Sequence, residues 1–191
     1  MGRMKNENFT EKEYVADWLD NKNVKAFTKL YDEYKHKVFS LILRMVKDRN
    51  VAEDLLQDTF ISALNSIDRF ERNRSFLSWL FGIAHKKTID YIRHEKVVNK
   101  YQDEASQAVG SRIQDPLSST ADGRVRELVN HVLEDISVEQ KEVFLMREMG
   151  GVPFKDIAEI TGCTINTALG RMRLACEKIR KEFVKRGYYE V

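Results

Sequence analysis

The chain has 191 residues, of which 42% are hydrophobic, and its formal net charge is only +2. This length accommodates one globular domain of ordinary size or two small ones. No stretch reaches the roughly 20 consecutive apolar residues that a membrane helix needs, and no apolar segment of a secretion signal follows the first seven residues. We therefore expect a cytoplasmic protein without membrane insertion.

The cysteine content excludes two further classes of protein. Cys163 and Cys176 lie thirteen residues apart and form no C-x-x-C pair, so neither a disulfide framework nor a zinc site is expected. We interpret both as small, buried apolar side chains.

The sequence favours an all-α fold, because it contains only two prolines and no alternating run of β-branched residues. Helices are predicted at 10–20, 23–47, 51–67, 75–95, 124–135, 138–149, 153–161 and 164–184, with Ser75 and Thr164 as N-caps. Residues 97–123 are instead rich in small, polar and turn-forming residues. We predict two small helical domains, 1–96 and 124–191, joined by a flexible linker at 97–123.

Charge is segregated along both predicted domains. Residues 48–68 contain five acidic and one basic residue, whereas 69–96 contain three acidic and seven basic. Residues 134–163 contain seven acidic and three basic, and 164–186 contain two acidic and seven basic. In each predicted domain an acidic stretch is thus followed by a basic one. This order suggests one DNA-contacting surface in each domain.

The predicted helix at 51–67 is amphipathic. Its expected buried stripe consists of Ala52, Leu56, Phe60, Ala63 and Ile67, and its opposite face carries Asp54, Gln57, Asp58, Ile61 and Asn65. The periodicity alone leaves two interpretations of that acidic face open, a docking surface or an ordinary solvated face.

A short basic segment with aromatic residues follows, from Asp68 to Leu80. Cations that hold the backbone and aromatic faces that receive unstacked bases are what single-stranded DNA binding requires. We assign Phe76, Leu80 and Phe81 to the core rather than to DNA, and we leave Trp79 open between the two.

The second predicted domain contains the pattern of a helix-turn-helix. A helix at 153–161, the turn Gly162-Cys163 and a long basic helix follow one another. The expected buried stripe of the last helix is Ile165, Ala168, Leu169, Met172, Cys176, Ile179 and Phe183. We assign Asn166, Thr167 and Arg171 to base edges and Arg173, Lys178 and Lys181 to phosphates. For Lys181 a solvated helix end is an equally good interpretation, as it is for Lys185.

These motifs, in this order, resemble the sigma-70 family of transcription initiation factors, specifically the compact extracytoplasmic-function (ECF) type. The resemblance runs from Ala26 to Lys185. Its motifs are the segments 52–60 (AEDLLQDTF), 76–84 (FLSWLFGIA), 89–93 (IDYIR) and 143–148 (VFLMRE), then the turn at Gly151 and the segment 156–158 (DIA).

The resemblance implies a non-catalytic protein that binds the β and β′ subunits of bacterial core RNA polymerase and recognises promoter DNA. The four-helix domain, sigma region 2, would bind the polymerase and would open and read the −10 element as single strands. The helix-turn-helix domain, sigma region 4, would read the −35 element as duplex. The catalytic magnesium belongs to the polymerase, so the chain itself would need no cofactor or metal.

The resemblance also implies roles for particular residues. The polymerase contacts would be Asp54, Gln57, Asp58 and Ile61. The −10 contacts would be Arg69, Arg72, Asn73, Arg74, Trp79, Lys86 and Arg93. The −35 contacts would be Thr164, Asn166, Thr167, Arg171, Arg173 and Lys178. Members of the family are commonly held inactive by an anti-sigma protein, which makes one a candidate partner.

Two departures from the family pattern concern base reading. Lys86 stands where relatives often have asparagine, and residues 166–171 read NTALGR where relatives commonly have GTVKSR. Neither promoter element can therefore be copied from relatives.

Two other functions would account for part of the sequence. A helix-turn-helix regulator with a helical sensor domain explains the second domain but leaves the acidic face and the basic aromatic loop unused. A magnesium-dependent nuclease would use Glu53, Asp54 and Asp58, but Glu53 points about 100° away from Asp54 on a helix.

Overall fold

The structure, a computed structural model, describes residues 10–102 and 121–188. Within these residues the chain forms eight α-helices, a single-turn 3₁₀ helix and no strand, which confirms the all-α prediction. The α-helices are α1 (Glu11–Asn21), α2 (Val24–Val46), α3 (Arg49–Ser66), α4 (Phe76–Gln102), α5 (Ala121–Glu134), α6 (Val138–Gly150), α7 (Phe154–Ile160) and α8 (Ile165–Lys185). The 3₁₀ helix, Ile67–Arg69, follows α3. We call α1–α4 the N-terminal module and α5–α8 the C-terminal module.

Side chains that cap backbone N–H groups set where the helices begin. Ser75 Oγ accepts a hydrogen bond from the N–H of Ser78 at 3.3 Å, and Thr164 Oγ1 accepts one from the N–H of Thr167 at 3.1 Å. Both predicted caps are confirmed. The same role is filled at α1, α2, α3 and α6 by Thr10, Asn23, Asp48 and Ser137.

Helix α4 is longer than the sequence pattern predicted. It continues to Gln102, seven residues past the expected end at 95, and α5 begins at Ala121 rather than 124. The strongest helix breakers of the predicted linker, Gly110 and Pro116, come later in the chain, so nothing in 96–102 ends the helix. The middle of the linker, 103–120, lies outside the described residues.

Aromatic side chains form the core of the N-terminal module beside the loop that precedes α4. The ring of Phe76, 1% exposed, lies 6.1 Å from Trp18 and 5.8 Å from Phe70 in edge-to-face contacts. Leu80 and Phe81 are fully buried. The assignment of Phe76, Leu80 and Phe81 to the core is therefore confirmed, and the ends of the 70–76 segment are anchored.

In the C-terminal module the buried face of α8 differs from the predicted stripe. Ala168 and Phe183 are buried and Met172 and Ile179 half-buried, as expected, but three predicted core residues are exposed: Ile165, Leu169 and Cys176. Ala175 is buried in their place. The helix is rotated toward this small residue because α8 packs on α5, α6 and α7 together, and a small side chain permits the closest approach.

The prediction that both cysteines are buried was wrong. Cys163 is half-buried in the turn before α8, and Cys176 is exposed on α8. The rotation of α8 accounts for Cys176.

The two modules pack against each other. Helix α2 contacts α6, and α4 contacts α6 and α7. At this junction Gly150 lies so close to Phe81 that a Cβ atom added to it would overlap the buried ring, whereas at Gly82 an added Cβ would meet Ile160 at an ordinary 3.6 Å. The absence of a side chain at Gly150 is thus what lets the modules approach this closely.

A buried lysine, Lys141, destabilises the folded chain near this junction. Lys141 of α6 is 6% exposed, and its pKa is lowered, mainly by burial and further by the charge of Lys47. The unfolded chain therefore binds more protons at this site, and the charged lysine destabilises the folded chain below the folded-state pKa. We expect Lys141→Met to raise the free energy of unfolding at pH 7 by about 1 kcal/mol.

The pH dependence of this stability difference shows whether the charge of Lys141 is its cause. The advantage of Lys141→Met over the wild type in urea unfolding should shrink as the pH rises through the lowered pKa toward 10.5, because the neutral amine carries no such penalty. Lys155→Met, at an exposed position on α7, is the matched control and should show no such trend. An advantage that is constant with pH would assign the effect to packing instead.

Candidate nucleic-acid interface

The turn between α7 and α8 has the geometry of a helix-turn-helix. Gly162 has a φ of +64°, a backbone conformation that glycine adopts readily, and the N–H of Cys163 donates to the carbonyl of Ala158 at 2.9 Å. Thr164 then begins α8, and its hydroxyl also lies 2.8 Å from the hydroxyl of Thr167. The first turn of α8 is thereby fixed, with Asn166 and Thr167 exposed.

Arg171, the third predicted base-contacting residue, is not freely exposed. Its Nη1 donates to Oε1 of Glu142 on α6 at 3.4 Å, and only 24% of its side chain is accessible. The sequence pattern placed Arg171 on the open face of α8, and the rotation of the helix brings it toward α6 of the same module instead.

The two predicted phosphate contacts of the −35 set lie farther along α8 and are exposed. Arg173 pairs with Glu177 one turn later at 2.7 Å, and Lys178 donates to the carbonyl of Asp135 at 2.6 Å. The third proposed phosphate contact, Lys181, is exposed as well. Pairs between such exposed groups are weak, so DNA phosphates can replace these partners.

The basic loop before α4 is tethered to α1. Arg72 forms a two-pronged ion pair with Asp20, and Lys22 pairs with Asp68 at 2.6 Å. The hydrogen bond from Arg72 lowers the pKa of Asp20. Helix α1 thus orients the loop, a role that was not predicted from the sequence. The only sign of this role in the sequence was the opposite charge of the acidic residues of α1 and the basic loop.

Arg74 of the same loop reaches across to the C-terminal module. It forms an ion pair with Glu159 of α7 and a second one, at 3.3 Å, with Glu71 in its own loop. The hydrogen bond from Arg74 lowers the pKa of Glu159. The other polar members of the predicted −10 set are exposed: Arg69, Asn73, Lys86 and Arg93.

A cleft of about 200 Å³ lies between α1 and this loop. Val15, Leu19, Phe70 and Phe76 contribute apolar surface to it, and the rim includes Arg72 and Arg74. Trp79 does not line this cleft. It is half-buried, 5.3 Å from the ring of Phe70 and 5.6 Å from that of Phe76, so it supports the rings from behind.

The acidic face of α3 is exposed as predicted, with Asp54, Gln57, Asp58 and Ile61 all accessible. Ile61 is 55% exposed, and Leu64, three residues later on the same side, is 43% exposed. Leu64 was not among the predicted contact residues, although its spacing from Ile61 places it on this face. The surface therefore combines carboxylates and an amide with two apolar side chains.

Neither a metal-binding cluster nor a membrane-spanning helix is found among the described residues. In residues 10–102 and 121–188, no three His, Cys, Asp or Glu side chains are grouped so that they could hold a metal ion. None of the helices in these ranges combines the length and apolar character that a membrane crossing demands.

A helical module with a basic loop, joined to a helix-turn-helix module, defines a DNA-binding protein of the transcription-factor type. Two family models match the chain in order. Sigma-70 region 2 matches residues 30–97, and Sigma-70, region 4 matches residues 126–179.

Relatives of similar length support the same assignment. The chain is 29% identical over 159 residues to the RNA polymerase sigma factor CarQ of Myxococcus xanthus, covering 82% of this chain and 88% of CarQ. It is 29% identical over 168 residues to the ECF RNA polymerase sigma-E factor of Haemophilus influenzae, covering 83% and 87%. The chain belongs to the sigma-70 family, and within it to the ECF group.

Solved structures share the fold. The sigma factor RpoE of Bartonella quintana, solved with the anti-sigma factor NepR, superposes with a TM-score of 0.72 at 21% identity, covering 83% of this chain and 97% of that one. CnrH, solved with the cytosolic domain of CnrY, gives a TM-score of 0.64 at 19% identity, covering 90% and 95%.

Proposed function

We propose that this chain directs core RNA polymerase to promoters through three separate surfaces, one for the polymerase and one for each promoter element. The observation that carries the proposal is that the exposed acidic face of α3, the basic loop with α4, and the N-terminal part of α8 lie on different elements of one chain. Nothing in this division of labour requires chemistry by the chain itself.

The polymerase surface is the exposed face of α3, formed by Asp54, Gln57, Asp58 and Ile61. Carboxylates at the rim of an apolar patch orient the two partners and speed their association. The apolar side chains contribute binding free energy because the partner buries them. Leu64 extends this patch beside Ile61. The partner implied is the β′ subunit, with further contacts to β.

The −10 surface is formed by the loop and by α4, through Arg69, Arg72, Asn73, Arg74, Trp79, Lys86 and Arg93. Cations along the rim hold the phosphates of a separated strand. The cleft between α1 and the loop, about 200 Å³ and lined by Glu11 and Lys12 as well as by apolar side chains, would receive a single unstacked base. The free energy for separating the strands would then come from binding the unstacked bases. Trp79 has a supporting role, because its ring packs on Phe70 and Phe76.

The −35 surface is formed by α8, through Thr164, Asn166, Thr167, Arg171, Arg173 and Lys178. Residues at the N-terminal end of a recognition helix reach base edges in the major groove, and later cations hold phosphates. Thr164 acts mainly by capping α8, which orients Asn166 and Thr167.

The proposed domains are residues 1–96 as region 2, 97–123 as the linker and 124–191 as region 4, with the end of α4 and the first residues of α5 falling within the linker bounds. The chain acts in the bacterial cytoplasm, where the polymerase and the chromosome are found. An anti-sigma factor is a further proposed partner, since the sigma factor RpoE described above was solved with one.

Lys86, where relatives often have asparagine, gives a specificity prediction. Lys86 is exposed on α4. We expect Lys86→Asn to change the preference at one −10 position by about tenfold, or ~1.4 kcal/mol, because asparagine both donates and accepts hydrogen bonds whereas lysine only donates. Transcription from promoters mutated singly across the −10 element measures it.

Lys96→Asn is the matched control for Lys86→Asn, since it makes the same substitution at an exposed position farther along α4. It should leave the −10 preference unchanged. Identical preferences for Lys86→Asn and the wild type would remove Lys86 from the base-reading set.

Gel filtration with purified core RNA polymerase separates this function from that of a helix-turn-helix regulator. The chain should co-elute with core polymerase in the absence of DNA. A regulator with a sensor domain would elute alone, and that result would contradict the proposal.

A further inference from the structure

Gly170 lies in the middle of the open face of α8. Because a helix has 3.6 residues per turn, Gly170 is about 40° around the axis from Asn166 and about 60° from Thr167. These two exposed residues are proposed to reach base edges. The buried residues Ala168 and Ala175 lie on the opposite side of the helix. Gly170 therefore occupies the part of α8 that would meet the floor of the major groove.

Nothing in the described part of the chain requires a glycine at this position. Gly151 and Gly162 have positive φ values, and Gly150 lies against the ring of Phe81, so each of these has a local reason. The φ of Gly170 is not positive, and a Cβ atom added there would enter open space. Glycine also lowers the stability of a helix relative to alanine. The room left by the missing side chain is thus on the outside, where DNA would approach.

Leu174 follows Gly170 one turn later on the same face. It comes seven residues after Thr167, which places it only about 20° around the helix from that residue, and its side chain is 42% exposed. Arg171 and Lys178, one turn to either side, are both cationic. Leucine cannot form hydrogen bonds, and the apolar group that the major groove presents is the C5-methyl group of thymine.

We propose that Gly170 and Leu174 together recognise a thymine in the −35 element. This inference rests on the proposed function, which places α8 in the major groove. The missing side chain at Gly170 lets the backbone of α8 lie closer to the base edges. That approach brings Leu174 into contact with the C5-methyl group of the thymine, and the preference comes from removing both apolar surfaces from water.

Replacement of thymine by uracil isolates this contact, because uracil keeps the same pairing and hydrogen-bonding groups and lacks only the methyl group. Holoenzyme formed from core polymerase and this chain first selects duplexes from a random-sequence pool, and the selected sequences define the −35 element. Each thymine of that element is then replaced singly by deoxyuridine, and binding of the holoenzyme is measured at fixed salt. We expect one position where the replacement weakens binding about fourfold, the effect of one buried methyl group.

Two leucine variants test whether Leu174 makes the contact. Leu174→Ala should bind the thymine and uracil duplexes equally at that position. Leu169→Ala is the matched control, since it removes the same side chain at a similar exposure, 45%, from the same helix. Leu169 lies about 140° around α8 from Leu174, so its variant should keep the fourfold difference. Loss of the difference in both variants would assign it to the helix as a whole and overturn the role of Leu174.

Gly170→Ala tests the close approach. The added methyl group enters open space in the free chain, and alanine favours the helix, so the melting temperature should rise by about 2–4 °C. The same methyl group would hold α8 away from the base edges. Binding of the holoenzyme to the selected duplex should therefore weaken about tenfold, and the difference between thymine and uracil should shrink. A variant that is more stable and binds as tightly as the wild type would overturn the close approach.

The outcomes distinguish failure of this inference from failure of the proposed function. A defined −35 element that contains no thymine, or in which no uracil replacement matters, would overturn thymine recognition and leave the proposed function standing. A uracil effect that persists in Leu174→Ala would overturn the role of Leu174 in the same way. If the holoenzyme selects no shared sequence at all, the proposed function fails, and this inference fails with it.

Discussion

Asp54→Arg is expected to weaken binding to core RNA polymerase at least a hundredfold, while duplex DNA binding by the free chain stays intact. Asp54 is exposed on α3, on the face with Gln57, Asp58 and Ile61. An arginine there would meet the basic groups that an acidic docking face requires on its partner, and like charges juxtaposed in an interface cost several kcal/mol. Titration of labelled chain with core polymerase gives the affinity.

The neighbouring Glu53 supplies the control for Asp54. Glu53 is also exposed but lies about 100° around the helix and pairs with Arg49 at 2.9 Å. Glu53→Arg makes the same change in net charge and should cost less than threefold. Equal losses for the two variants would mean that net charge, rather than this face of α3, governs binding to the polymerase.

Arg171→Ala should lower the affinity of the holoenzyme for duplex promoter DNA by about 1–3 kcal/mol and relax specificity at one −35 position. The guanidinium can donate two parallel hydrogen bonds to one base, which alanine cannot replace. Binding to core polymerase should not change, because α3 is on the other module. Affinities for promoters mutated singly across the −35 element provide the measurement.

Two further variants separate base reading by Arg171 from its pair with Glu142. Arg171→Lys keeps the positive charge and the pairing but loses the planar fork, so it should resemble Arg171→Ala in specificity. Arg173→Ala should instead weaken all sequences alike and reduce the salt slope by about one. If Arg171→Ala also weakened every sequence equally, Arg171 would be a phosphate contact.

Local signals in the sequence were sufficient for the helices and their beginnings. The caps Ser75 and Thr164 were predicted because their side chains precede amphipathic segments, and both make the expected bonds. The exposed face of α3 was predicted because its packing follows a simple helical period. Such signals act over three or four residues, which is the range that a sequence pattern reports reliably.

Contacts between distant segments were not predictable in this way. The pairing of Arg171 with Glu142 spans 29 residues, and that of Arg74 with Glu159 spans 85. The sequence pattern placed Leu169 in the core and Arg171 in solvent because it treats a helix as having one apolar side. In the structure α8 packs on three helices at once. Its orientation is therefore set by the close approach that the small side chains of Ala168 and Ala175 permit.

Mapping the 5′ ends of RNA made by core polymerase and this chain on a genomic DNA library tests the central claim most directly. We predict start sites that core polymerase alone does not use, preceded by two shared sequence elements at fixed spacing, with Asp54→Arg abolishing all of them. Random starts identical to those of core polymerase alone would contradict the claim that three surfaces of one chain direct promoter recognition.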